Sequence, residues 1–318
     1  SRPVFLQGNM ATAAATTVAA AVEEVEVGGQ EVVARRRGKP RGWRTMPFVI
    51  AAETFEKAGS IGVVANLTVY LVNRFHMGQL TAANITNIFY GTLNFAPLLG
   101  AFISDAYLGR FKTLAYGSFF SLLGMLGLTL SASLPALKPP GCNQTTQLGE
   151  HCNSPSTLQL GVLYLSLGFL AIGGGAIRPC SLPFGVDQFD MTDEKSRKGL
   201  NSYYNWYYGT TTVALVFSLT FLVYIQNSVS WPIGFGIPTF LMFMAIIALF
   251  MGASLYVHVP PEGSIFTGIV RVLVASFKKR RLKLPYPHDI NQQELLLYDP
   301  QTRGSRVFKL PLTSQFRC

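Results

Sequence analysis

At 318 residues, with 49% hydrophobic and 13% charged side chains and a mean hydropathy of +0.31, the chain carries too little charge for an ordinary soluble domain. It reads as an all-α, polytopic membrane protein. A formal net charge of +10 would suit a nucleic-acid partner, but the basic residues gather in two blocks beside apolar spans, Arg35 to Arg44 and Arg271 to Lys283. Anchoring to a membrane surface explains them more simply, and no nucleic acid is expected.

Residues 1–43 are rich in alanine, threonine, valine and glutamate and run into Arg35-Arg36-Arg37-Gly38-Lys39-Pro40-Arg41; a disordered tail is expected. Met10 is the expected biological start, with residues 1–9 as upstream translated sequence; the alternative is a longer product cut before Ser1. No basic start, apolar core and small-residue cleavage site open the chain, so the first span is expected to act as its own insertion signal.

Six segments then reach the roughly 20 apolar residues that a helix needs to cross the hydrocarbon. They lie near residues 46–75, 81–106, 114–134, 158–184, 202–225 and 232–257. The bundle is thus expected over residues 44–258.

The first span contains Glu53, Glu56 and Lys57. Each ionised group costs roughly 2.5–3.5 kcal/mol at the middle of a lipid-facing helix, so the three are expected to face a protein interior or a wet cavity. At positions i, i+3 and i+4 they share one side. Two carboxylates so close repel when both are ionised, while the ammonium holds one as an anion; such a site can take up and release one proton. A clamp to a neighbouring helix is the alternative.

At the end of span two, Gly100-Ala101-Phe102-Ile103-Ser104-Asp105-Ala106-Tyr107-Leu108-Gly109-Arg110 sets a carboxylate, a tight glycine and an arginine at a helix end, where they can latch one bundle against another. The loop between spans three and four holds Cys142, Asn143-Gln144-Thr145 and Cys152. A Cys142–Cys152 disulfide and sugar on Asn143 fit a non-cytosolic loop. The sequons at Asn66 and Asn84 fall in spans and read as chance, and Cys180 as a buried thiol. In span four, Gly173-Gly174-Gly175 lets a backbone or a ligand come close, and Arg178 follows, a partner either for an anionic ligand or for Glu53 or Glu56. Span five opens on Asn201-Ser202-Tyr203-Tyr204-Asn205-Trp206-Tyr207-Tyr208, read mostly as packing.

After Pro260-Pro261 stops the last span, residues 265–277 carry an apolar stripe beside Lys278 to Lys283, which suits a helix lying along the cytosolic surface within a linker over residues 259–318. Basic residues concentrate in alternate loops, which puts both termini in the cytosol. His76, His151, His258 and His288 all lie at span ends or in loops, so an enzyme, a metal site and a cofactor are not expected.

The Glu53-x-x-Glu56-Lys57 face, the stretch from Gly100 to Arg110, the stretch from Gly174 to Asp190, Asn205-Trp206-Tyr207-Tyr208 and Pro261-Glu262-Gly263-Ser264 together resemble the plant nitrate/peptide transporter family. These are proton-dependent oligopeptide transporters of the major facilitator superfamily, and the resemblance covers about residues 43–318. Arg178 to Asp187 and Val229-Ser230-Trp231-Pro232-Ile233-Gly234-Phe235 are similar to the low-affinity nitrate transporters linked to phloem loading; relatives carry glucosinolates, gibberellins or other anions.

The resemblance implies the six-helix N-terminal bundle of such a transporter, incomplete. It implies proton coupling through Glu53, Glu56 and Lys57, and gating through Asp105, Gly109 and Arg110. Lys57, Arg178, Tyr90 and Asn205 are the expected substrate contacts. Arg178 stands where many members have a lysine that pairs with a carboxylate on helix ten, which leaves Glu53 and Glu56 as the better proton carriers. The family has two six-helix halves with substrate between them, and this chain stops at Gln315-Phe316-Arg317-Cys318, inside the linker between them. The expected function is symport of protons with a small anion, foremost nitrate, at the plasma membrane. The expected partners are the solute, protons, the bilayer and a missing C-terminal half or a full-length homologue, which a truncated, non-transporting form would regulate.

Overall fold

The computed structural model describes residues 41–139, 155–190, 193–261 and 265–279, and every regular element among them is a helix. The chain divides into two units, Ser1–Ser264 and Ile265–Cys318. The described part of the second is one helix, Ile265–Lys279.

The first unit makes six helical passes. They are α1 (Met46–Val64) with α2 (Leu67–Phe75), α3 (Gln79–Ile103), α4 (Arg110–Ser133), α5 (Thr157–Val186), α6 (Glu194–Phe217) with α7 (Val223–Ser228), and α8 (Trp231–Met251). The helix of the second unit is α9. Pro47 sits in the first turn of α1, where its missing N–H costs no hydrogen bond. α5 starts on a capping box in which Ser156 Oγ accepts from the Gln159 N–H and the Gln159 side chain accepts from the Ser156 N–H. Gly109, at φ +78°, turns the chain from the π-helical segment Ser104–Leu108 into α4.

Among the described residues four helices, not six, are long and apolar enough to cross a membrane: Arg110–Ser133, Thr157–Val186, Glu194–Ser228 and Trp231–Met251. The first pass differs because Glu53, Glu56 and Lys57 interrupt its apolar run and it breaks between α1 and α2. The second carries Asn84, Asn87 and Asn94 along α3. At the break the buried Asn66 amide donates to Asn227 Oδ1 at 2.8 Å, and the Gln226 amide donates to the Gly62 carbonyl at 2.8 Å. The Gly62 carbonyl freed by the break is thus met by a side chain of the fifth pass, as a membrane interior requires. Pass five has its own interruption, a π-helical segment over Ser218–Leu222, and there the Ser218 hydroxyl donates to the Ala58 carbonyl at 2.8 Å.

α5 is central and packs against both α3 and α4, while α1 packs against α6 and α8. Small residues permit the close approach of α5. A side chain added at Gly100 would meet the Gly175 carbonyl, and a Cβ at Gly173 would lie 2.6 Å from the Ser121 nitrogen and 2.7 Å from the Gly117 oxygen. Gly168, on the same helix, has nothing within 4 Å of an added Cβ. Gly173→Val is therefore expected to destabilise the bundle by about 1–3 kcal/mol, while Gly168→Ala leaves stability unchanged or slightly raised. Denaturant unfolding in detergent reads both, and equal midpoints for the two variants would contradict the packing.

Candidate functional site

Glu53 and Glu56 lie inside the bundle, 8% and 6% exposed. The geometry differs from the simplest expectation for an i, i+4 pair. Lys57 Nζ lies 3.3 Å from Oε2 of its sequence neighbour Glu56, and Glu56 Oε1 accepts from the Ser60 hydroxyl at 2.7 Å. Adjacent helical side chains do not naturally face one another, so both must bend toward a common point. Glu53 turns elsewhere. Ser181 of α5 stands near its carboxylate. Ser181 Oγ lies 3.2 Å from the hydroxyl of the half-buried Tyr207 of α6, and either hydroxyl can donate to the other. Glu53 Oε2 has no hydrogen-bond partner among the described residues. Both carboxylates line a cavity of ≈ 20 Å³, together with Ser118 of α4, Ile177 of α5 and Leu249 of α8.

The cations and polar groups expected beside this pair are placed differently. Arg178 makes no ion pair with Glu53 or Glu56; it is exposed on α5, and its guanidinium donates to the Leu93 carbonyl of α3 at 3.1 Å. Tyr90, on the same stretch of α3, donates to the Val64 carbonyl at the end of α1 at 3.4 Å. Asn205 is exposed on α6. The acids thus sit within the bundle and do not share an open crevice with Arg178, because Ala52, Ala58 and Gly59 on the same side of α1 let neighbouring helices close over them.

The gating residues are also re-paired. Arg110 Nη1 lies 2.6 and 2.7 Å from the two carboxylate oxygens of Asp187, at the end of α5. Asp105 lies in the preceding π-helical segment and makes no ion pair with Arg110. Gly109 is buried, and the Val259 carbonyl lies 3.2 Å from where its Cβ would stand. Next to Asp187, the fully buried Gln188 donates to the Phe184 and Val257 carbonyls, each at 3.2 Å, and accepts from the Val257 N–H at 2.8 Å. Its own carbonyl accepts from the Gly42 N–H at 2.9 Å. Cys180 is a buried free thiol. Cys142, Asn143 and Cys152 lie outside the described residues.

The model of the POT family matches residues 111–309. The chain belongs to the POT family.

Members of that family are multi-pass membrane transporters, and the curated relatives are plant proteins. The chain is 52% identical over 280 residues to Protein NRT1/PTR FAMILY 2.13 of Arabidopsis thaliana, covering 88% of this chain and 44% of that protein. It is 53% identical over 276 residues to Protein NRT1/PTR FAMILY 2.12 of the same plant, covering 87% and 47%. It therefore spans about half the length of the curated relatives it matches. Among solved structures, it superposes on the POT family transporter PepTSo with a TM-score of 0.59 at 23% identity, over 81% of this chain and 46% of that one. An auto-inhibited POT family peptide transporter gives 0.60 at 22%, over 80% and 44%. These two likenesses concern the fold.

In this POT-family bundle the residues that sequence reasoning missed are Ser60, Ser181, Tyr207, Asp187 and Gln188. Ser60 was within reach, being one turn after Glu56. Tyr207 lay inside an aromatic run read as packing. Asp187 and Gln188 stood in a recognised motif without an assigned partner, since the chain pairs them with residues far away in sequence. Gln188→Leu keeps its volume but strips the partners of the Val257 N–H and of two buried carbonyls, each costing about 1–3 kcal/mol. The expected outcome is faster amide hydrogen exchange at Val257 with the bundle helices still protected; unchanged exchange there would overturn the assignment.

Proposed function

We propose that this chain is the proton-handling half of a proton-coupled importer of a small anion, nitrate foremost, acting at the plasma membrane with its basic loops in the cytosol. One geometry carries the reading: inside a POT-family bundle, the Glu56 carboxylate occupies the Lys57 ammonium at 3.3 Å. While Glu56 is ionised, Lys57 has an internal counter-charge. A proton taken up by Glu56 removes that charge and leaves the ammonium needing an anion, which is a direct way to make solute entry depend on a proton. The hydroxyls of Tyr207 and Ser181, 3.2 Å apart, offer a route by which a proton can approach the second acid.

Arg178, exposed and held by only one backbone carbonyl, offers the other cation. A guanidinium can grip a planar anion through two parallel N–H bonds. The preference for nitrate rests on that fit and on the two runs, Arg178 to Asp187 and Val229 to Phe235, that resemble low-affinity nitrate transporters. Orientation rests on the sequence pattern, in which the Arg110/Lys112 and Lys195/Arg197/Lys198 loops are basic and the loops that alternate with them are poor in basic residues.

In the full-length protein, Glu56→Gln is expected to cut acid-driven uptake of labelled nitrate in oocytes by about 5- to 150-fold, the usual size of a coupling between sites. Unchanged uptake at normal surface expression would discard the mechanism. Acid-driven uptake of a peptide or a glucosinolate in place of nitrate, lost in the same variant, would keep the coupling and discard the substrate.

A further inference from the structure

α9 presents two unlike sides. Residues three and four apart share a side of a helix, so Val270, Leu273, Val274 and Phe277 fall on one arc, and these side chains are 56–69% exposed. The register sets Arg271, Lys278 and Lys279 on the opposite arc, together with Ala275. No acidic residue occurs between Ile265 and Lys279. Ser276, also exposed, flanks the apolar arc, following Leu273 by three residues.

We propose that α9 is an electrostatic anchor for an anionic lipid surface, and that Ser276 is the position at which a negative charge releases it. The occupant follows from charge. A face of valine and leucine backed by basic residues with no acid among them complements a layer whose boundary is apolar below and anionic above. A protein groove would satisfy the apolar arc but would give the cations no reason to lack acidic neighbours. The chain's own membrane passes keep a bilayer within reach of α9, so a modest affinity suffices to hold it. Ser276 is small and neutral and is tolerated where the apolar side chains enter the acyl boundary. A carboxylate at the same place would have to be drawn below the headgroups, next to anionic lipid, and both effects oppose binding.

The test uses the 318-residue chain in nanodiscs, with its 4 native cysteines replaced by serine. A reporter cysteine is placed on the apolar arc (Leu273→Cys) or on the basic arc (Ala275→Cys), and each is reacted with a water-soluble maleimide. In phosphatidylcholine containing about one third phosphatidylserine, position 273 is expected to react at least tenfold more slowly than 275. The ratio is expected to fall toward one in phosphatidylcholine alone, in high salt and in Arg271→Gln/Lys278→Gln/Lys279→Gln. Each lost basic residue is expected to weaken the surface-bound state about fivefold. Ser276→Asp should collapse the ratio while Ser276→Asn, equally polar but neutral, keeps it.

Three results would overturn the proposal. They are equal reactivity at both positions in anionic nanodiscs, a ratio insensitive to lipid charge and salt, and slow reaction at both positions, which means that protein covers the helix. None of these readouts depends on transport.

Discussion

Everything in the bundle answers to the problem of keeping Glu53, Glu56 and Lys57 away from lipid. An ion pair removed from water gains from mutual attraction only if its remaining lone pairs and protons are met. Here Glu56 has Lys57 near one oxygen and the Ser60 hydroxyl on the other, while Glu53 Oε2 has no hydrogen-bond partner among the described residues. The cavity that both acids line is bounded by Ser118 of α4, Ile177 and Phe184 of α5 and Leu249 of α8, so the acids are sheltered only when α5 and its neighbours are docked against α1. That docking in turn requires backbones to approach closely. The glycines of α5 and the alanines and glycines of α1 are thus part of the electrostatics as well as of the packing.

The same logic explains the irregular backbone. α1 ends at Val64 and α2 begins at Leu67, and at the break the Gln226 amide meets the freed Gly62 carbonyl while Asn66 pairs through its side chain with Asn227. One turn closer to the acids, Ser218 reaches the Ala58 carbonyl from a π-helical segment. The fifth pass is therefore strapped to the first at two carbonyls, both C-terminal to Lys57. A displacement of the first pass at its acid site would be carried to α6 and α7 through these straps, since each bond would otherwise leave a polar group orphaned at membrane depth.

Much of this was legible in the sequence. The length and polarity of the runs gave the helical passes, and the placement of Glu53, Glu56 and Lys57 within an apolar run implied burial, because solvation leaves no inexpensive alternative. The break at Asn66 was not legible: an asparagine between apolar stretches looks the same whether its amide faces a helix end or another amide far along the chain. Nor was the choice of partners. Spacing put Glu53, Glu56 and Lys57 on one side without choosing between the acids, and the fold sets Lys57 beside Glu56. Arg110 illustrates the same limit, as its carboxylate comes from Asp187 across a helix interface and not from Asp105 nearby in sequence.

In the proposed mechanism the two cations differ in a way that bears on coupling. Lys57 is a compact ammonium whose present partner is an ionisable acid, so its availability changes when that acid takes a proton. Arg178 is a permanent guanidinium whose present partner is a backbone carbonyl, which cannot be titrated. One cation is conditional and the other constant. An anion that needs both charges would find only one of them while Glu56 is ionised, whereas an anion satisfied by Arg178 alone would be insensitive to the proton. Coupling in such a site therefore requires the solute to reach from the exposed guanidinium on α5 to the partly buried ammonium on α1. α3 bears both the Leu93 carbonyl that holds Arg178 and Tyr90, which donates to the Val64 carbonyl at the end of α1, so a movement of α3 would be felt at both of those helices.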